Sequence, residues 1–231
     1  MADTFHGTIY GINGPVIRVR GYNDFKMHET VLVGHEKLIG EVIGIHENEA
    51  IVQVYENTTG LKPGEPVIPT GRPLSVMLGP GIIGNIFDGI QRPLTEAEKI
   101  SGAFIMRGMS VSQLDLSRKW KVEFLVRTGD FAEPGNKIAK VQETDAVVHF
   151  VMVPPGIRGE VVHVAPEGEY TLTDRIITVR CEDGSEKDLT MLQEWPVRIP
   201  RPYKKRMELN EPLVTGQRVI DTLFPVAKGG A

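Results

Sequence analysis

Leu38-Ile39-Gly40-Glu41-Val42-Ile43-Gly44-Ile45-His46, then Glu47-Asn48-Glu49, then Ala50-Ile51-Val52-Gln53-Val54-Tyr55 is the stretch that sets the fold class. Two runs rich in Val and Ile, parted by three polar residues, read as a β-hairpin with its tip at 47–49. Working outward, further short Val- and Ile-containing runs lie at 7–10, 16–20 and 30–34, punctuated by Gly, Asn and Asp. Five or six consecutive short strands suit a small closed barrel, which leaves no open strand edge. A β-barrel domain is predicted over 1–70.

Over 71–110 the texture changes to a Gly/Pro-rich connector: Leu78-Gly79-Pro80-Gly81-Ile82-Ile83-Gly84, then Asp88-Gly89 and Arg92-Pro93. Thr95 with Glu98 three residues later predicts a capping box on a short helix. A second β block follows, with strands expected at 121–126, 137–142, 146–153, 160–164 and 176–180 and a turn at Asp183-Gly184. Beyond Leu189 the prolines of Trp195-Pro196-Val197-Arg198-Ile199-Pro200-Arg201-Pro202 impose an extended path, because each proline pushes its predecessor out of the helical region. Residues 214–224 offer one short helix or loop.

The 231 residues have room for two or three small domains, and 41% hydrophobic with 24% charged residues is an ordinary globular balance. A net charge of −4 gives no reason to expect nucleic-acid or anionic-lipid binding, and the basic run Lys204-Lys205-Arg206 reads as a solvated face. Cys181 is the single cysteine, so no intrachain disulfide forms and a thiol-reducing compartment is expected, with the thiol buried and inert. No signal-peptide pattern opens the chain, and no run is long and apolar enough for a spanning helix. Any membrane connection therefore runs through partners.

Gly79-Pro80-Gly81-Ile82-Ile83-Gly84 has the letters of a dinucleotide-binding G-x-G-x-x-G turn, but no apolar helical run follows it, so a structural turn is expected. His6, His28, His35, His46, His149 and His163 are scattered, and no zinc site is expected. There is no G-x-S-x-G elbow, and Cys181 beside Glu182-Asp183 has acidic neighbours, opposite to what a nucleophilic thiolate needs. Gly129-Asp130, Pro134-Gly135, Ile138, Val141, Glu143-Thr144-Asp145-Ala146-Val147, Pro154 and Gly159-Glu160-Val161 together resemble the half-repeat of lipoyl and biotinyl carrier domains. Those carriers hold the cofactor on a lysine between the Asp and the Ala. Here Asp145 runs straight into Ala146, which supports a barrel-sandwich shape without attachment chemistry.

Longer stretches resemble the catalytic A subunit of archaeal/vacuolar-type (A/V-type) rotary ATPases. They are Gly40-Glu41-Val42-Ile43 with Gln53-Val54-Tyr55-Glu56-Asn57-Thr58-Thr59-Gly60-Leu61 and Gly64-Glu65-Pro66-Val67; Gly71-Arg72-Pro73-Leu74-Ser75-Val76 through Ile86-Phe87-Asp88-Gly89-Ile90-Gln91-Arg92-Pro93-Leu94; and Trp195-Pro196-Val197-Arg198 with Pro212-Leu213-Val214-Thr215-Gly216-Gln217-Arg218-Val219-Ile220-Asp221-Thr222-Leu223-Phe224-Pro225-Val226-Ala227-Lys228-Gly229-Gly230. The resemblance implies a mainly β fragment: an N-terminal crown barrel over 1–70, a connector and first part of a nucleotide-binding domain over 71–110, an A-subunit-specific, barrel-sandwich-like bulge insertion over 111–188, and the start of the α/β P-loop domain over 189–231.

It also implies a cytoplasmic place, peripheral to the membrane, in an A3B3-type hexamer with B subunits. The bulge would meet the peripheral stalk and the intact subunit the central stalk, with Mg-ATP or ADP bound by the intact subunit and proton or sodium transport driven through it. The chain is expected to end just before the phosphate loop. No G-x-x-x-x-G-K-[ST] occurs in it, so no catalytic, cofactor-binding or metal residue is assigned. Apolar Ile86, Phe87, Val219, Leu223 and Phe224 are then expected to be exposed or irregular. A free-standing β-rich interaction protein without chemistry, or a remnant of the A subunit, is the alternative, and a degenerate carrier domain is disfavoured by the missing lysine.

Overall fold

Alternation places Ile17 and Val19 inward and Arg18 and Arg20 outward along Val16–Arg20, the period-2 pattern of a strand with one wet face. Six such strands, β1 (Gly7–Asn13), β2 (Val16–Arg20), β3 (Glu29–Val33), β4 (Leu38–His46), β5 (Glu49–Val54) and β6 (Pro66–Pro73), close into an antiparallel barrel in the order β1-β2-β5-β4-β3-β6. Ile9, Ile17, Val19, Val31, Val33, Leu38, Val42 and Val52 fill it. This is a computed structural model, and it describes residues 6–21, 24–201, 205 and 208–230. Among the described residues no helix is long and apolar enough to cross a membrane.

The opening hairpin forms, with a tighter tip than expected. Pairing runs from Gly40↔Val54 to His46↔Glu49, so Glu49 already belongs to β5 and only Glu47-Asn48 turn, with Glu47 at φ 37°. Strand β6 carries Pro66, Pro69 and Pro73 and escaped the sequence reading for that reason, since proline cannot donate to a ladder. It joins β3 through an irregular register and β1 through a two-residue contact, where such gaps are tolerated.

After the barrel, β7 (Ser75–Leu78) leads into the connector and the helix α1 (Leu94–Ser101). The expected capping box does not form. Pro93 is the N-cap with no side-chain cap bond, Thr95 lies inside the first turn, and the Leu94 amide instead donates to the Ile86 carbonyl at 2.9 Å.

The second block is a sandwich of two four-stranded sheets. One has the order β11-β10-β8-β13, from β8 (Trp120–Phe124), β10 (Lys137–Gln142), β11 (Val148–Met152) and β13 (Gly168–Tyr170). The other has the order β15-β14-β12-β9, from β9 (Phe131–Ala132), β12 (Gly159–Val164), β14 (Ile177–Cys181) and β15 (Glu186–Leu189). Both sheets feed one core, with Val122, Ile138, Val141 and Val151 from the first and Ala132, Val161, Ile177, Val179 and Leu189 from the second. Cys181, at the end of β14, is half-buried rather than buried. Phe87 departs from its expected exposure because it packs against this core together with Met77 and Ile82, whereas Ile86 is 65% exposed.

The chain returns as β16 (Gln193–Pro196), paired with β7 from Gln193↔Leu78 to Pro196↔Ser75. The outer edge of β7 is closed by a side chain: Met77 donates its amide to Gln91 Oε1 at 2.7 Å, and Gln91 Nε2 donates to the Met77 carbonyl at 2.6 Å. Gln91 thus acts as a one-residue strand.

Residues 201–231 form a separate unit. Among its described residues the one helix is α2 (Arg218–Leu223), and the flanking segments are tied by a Pro212↔Ala227 bridge and a bond from Leu213 N–H to the Val226 carbonyl at 2.8 Å. Asp221 accepts from Thr215 N–H and Oγ1 and from Gly216 N–H, which holds the turn before α2. Val219, Leu223 and Phe224 are exposed, as expected. Of the basic run 204–206 only Lys205 is described, and it is exposed; the rest lies outside the described residues.

Candidate functional site

Three carboxylates of the barrel region, Glu41, Glu56 and Glu29, are buried and fasten it, the first two to other parts of the 1–200 unit. Glu41 sits on β4 with its side chain 2% exposed. Arg198, just past β16, holds it in a two-pronged pair, Nε to Oε1 at 2.5 Å and an NH2 bond to Oε2 at 2.9 Å. Tyr55 donates its hydroxyl to the same carboxylate, and His28 Nδ1 lies 3.0 Å from Oε1. Burial alone would push the Glu41 carboxyl upward, but the bonds from Arg198, Tyr55 and His28 and the Arg198 charge outweigh it and hold it below the usual value. Burial and then the neighbouring Glu41 push the Tyr55 hydroxyl up to about 12.

A second clamp gathers Glu56, Asp88 and Arg92. Arg92 Nε donates to Asp88 Oδ2 at 2.7 Å and its NH1 group to Glu56 Oε2 at 3.3 Å, while Gly108 N–H donates to the same Glu56 oxygen at 2.9 Å. Burial raises Asp88, but the Arg92 and Ile90 amides and the Arg92 guanidinium bring it below the usual range. Beside this clamp Arg107 pairs with Glu36 at 2.8 Å and donates to the Thr59 carbonyl. Gly108, at φ 65°, leaves no room for a Cβ against the Glu36 carbonyl. In a third contact Glu29, itself buried, accepts from Gly71 N–H at 2.6 Å and from Lys26 N–H at 3.0 Å. All three join elements; their chemistry is fastening.

The glycine turn 79–84 has no helix after it, as the sequence implied. Its Gly81 and Ile83 amides point at a carboxylate of the second block, Glu143 Oε1, at 2.7 and 2.9 Å. Among the described residues no group of His, Cys, Asp and Glu is arranged to hold a metal ion. The sequence reading gave Glu29, Glu41, Glu56 and Glu143 no role of their own. The available signal was a charged residue inside an apolar run, clearest at Glu41 between Gly40 and Val42, but its partner Arg198 is 157 positions away.

Residues 9–71 match the family model described as the beta-barrel domain of the ATP synthase alpha/beta family, and 111–198 match that of the ATP synthase alpha/beta subunit barrel-sandwich domain. The chain belongs to the ATP synthase alpha/beta family. Within it the likeness is to the N-terminal part of the A-type or V-type A (alpha) chain. The A subunit of the A-type ATP synthase of Methanopyrus kandleri is 53% identical over 230 residues, covering 100% of this chain and 39% of that protein. The V-type ATP synthase alpha chain 2 of Clostridium tetani is 50% identical over the same length, again 100% and 39%. The V-type ATP synthase alpha chain of Halothermothrix orenii is 52% identical over 224 residues, 97% and 38%. The chain thus spans about two fifths of the length of these relatives.

Proposed function

We propose that this chain is the scaffold portion of the catalytic A subunit of an A/V-type ATP synthase, an enzyme that couples ATP synthesis or hydrolysis to proton or sodium transport across a membrane. The observation that carries the reading is identity near one half along the whole chain to A subunits and alpha chains of such synthases, with both the barrel and the sandwich present. In this reading the barrel packs in a crown with B subunits, and the sandwich projects to a peripheral stalk. The 71–110 and 189–231 segments open the nucleotide-binding domain, through which the intact subunit binds Mg-ATP or ADP and meets the central stalk. The assembly lies on the cytoplasmic face of the membrane. The residues described here fasten and present; the amide cradle, lysine and hydroxyl required for phosphoryl transfer are not among them.

The stalk contact is best placed on β11. Natural sheet edges are kept short or charged to prevent unwanted pairing. Strand β15 carries Glu186, Lys187 and Asp188, while β9 and β13 span two and three residues. Strand β11 runs for five residues without Asp, Glu, Lys or Arg and exposes Val148 and Phe150. The test is size-exclusion binding of the intact subunit to purified peripheral-stalk and B subunits. Val148→Lys/Phe150→Lys is expected to weaken stalk binding by about tenfold or more, as loss of central apolar anchors does, and to leave B-subunit binding unchanged. Equal stalk binding by the variant overturns this placement, and failure of the native subunit to join B subunits overturns the reading as a whole.

A further inference from the structure

A carboxylate occupies the place where a G-x-G-x-x-G turn would hold a phosphate. Gly81 and Ile83, two residues apart, aim their amides at one oxygen, Glu143 Oε1, at 2.7 and 2.9 Å. Amides converging in this way form a nest, a concavity of partial positive charge suited to an anion. The turn is built to keep that shape. Gly81 and Gly84 have φ of 104° and 88°, Asn85 Nδ2 donates to the Gly81 carbonyl at 2.6 Å, and a Cβ on Gly81 would lie 3.4 Å from Trp120. The anion is buried as well: the Glu143 side chain is 4% exposed, with His149 Nδ1 3.8 Å from its second oxygen.

Glu143 belongs to the β10–β11 turn, 62 positions from Gly81. The rest of the unit also meets the sandwich through Met77, Ile82 and Phe87, which pack on its core, and through the Gln193–Met152 bond.

We infer that Glu143 is an internal latch: its carboxylate fills an anion nest in the connector and pins the β10–β11 hairpin there, a buried polar tie beside the apolar contacts of Met77, Ile82 and Phe87. The nest is a carboxylate site that the chain supplies with its own ligand. Glu143 acts as a positioning residue, and nothing in the inference depends on nucleotide or on the partners proposed above.

The test compares the chain with its Glu143→Ala and Glu143→Gln variants by amide hydrogen exchange and nuclear magnetic resonance, with sodium acetate as the added probe. In the unaltered chain the Gly81 and Ile83 amides are expected to be protected. In Glu143→Ala they should exchange roughly 10- to 100-fold faster, the factor for losing a charge-assisted hydrogen bond, with Glu143→Gln between the two. Acetate should then shift both amide signals saturably in Glu143→Ala and not in the unaltered chain. The Leu125 amide, bonded to the Ile138 carbonyl at 2.9 Å, reports that the sandwich is folded. Unprotected Gly81 and Ile83 amides in the unaltered chain would overturn the latch. So would a folded Glu143→Ala whose two amides respond neither to the substitution nor to acetate. If Glu143→Ala does not fold, unchanged protection of both amides in Glu143→Gln decides against it.

Discussion

Glu41 shows how one charge is kept buried against the outer face of a barrel. With Arg198, Tyr55 and His28 around it, replacement by Gln should cost about 1.5–3 kcal/mol, the range for hydrogen bonds to a charged group, measurable by urea unfolding. The pH dependence has two limbs. Folding lowers the Glu41 carboxyl from its ordinary 4.5, so the unfolded chain takes up the proton first. That stabilisation is complete above 4.5 and is lost as pH falls through the folded value. Folding raises the Tyr55 hydroxyl from 10.0 to about 12, so its contribution is complete below pH 10 and is lost as pH rises through about 12. Melting temperatures across pH should show Glu41→Gln with a flatter acid limb and Tyr55→Phe with a flatter alkaline one. Parallel curves for all three proteins would contradict the cluster. At the second clamp, Arg92→Ala leaves Asp88 and Glu56 without their shared cation and should cost on the order of 3 kcal/mol.

At the scale of elements, runs of Val and Ile between turn residues were informative where they build a core. The 16–20, 38–46 and 137–142 strands form over the residues that the short Val- and Ile-containing runs marked. That signal failed where tertiary contacts override propensity. Strand β15, Glu-Lys-Asp-Leu, has the composition of a loop yet pairs with β14, where Arg180 meets Glu186 and Thr178 donates to Asp188. Helix α1 starts where Ile86 offers a carbonyl, a partner eight residues back that no local capping rule contains. The barrel and sandwich cores share no residue, so their stabilities should separate. Ile17→Ala and Ile138→Ala should each cost about 2–5 kcal/mol. Hydrogen exchange should show the loss mainly in the barrel for the first and mainly in the sandwich for the second. Equal losses in both blocks for either variant would show a single cooperative unit.

At the scale of the whole molecule, the family was legible because its long motifs are specific, and the barrel because closure needs only strand count and polarity pattern. The clamps were not legible: Glu41–Arg198 and Glu143–Gly81 join positions 157 and 62 apart, and sequence spacing holds no record of such pairs. What they build is a fastened 1–200 unit, with exposed apolar side chains such as Phe104, 85% exposed, left for further contacts. This support should carry no nucleotide site of its own, and calorimetric titration with Mg-ATP and Mg-ADP, beside the intact subunit of the same organism, is the sharpest check. Heat of binding is expected only from the intact protein; saturable binding by these 231 residues would contradict the scaffold role and point to the glycine turn at 79–84 as a phosphate site.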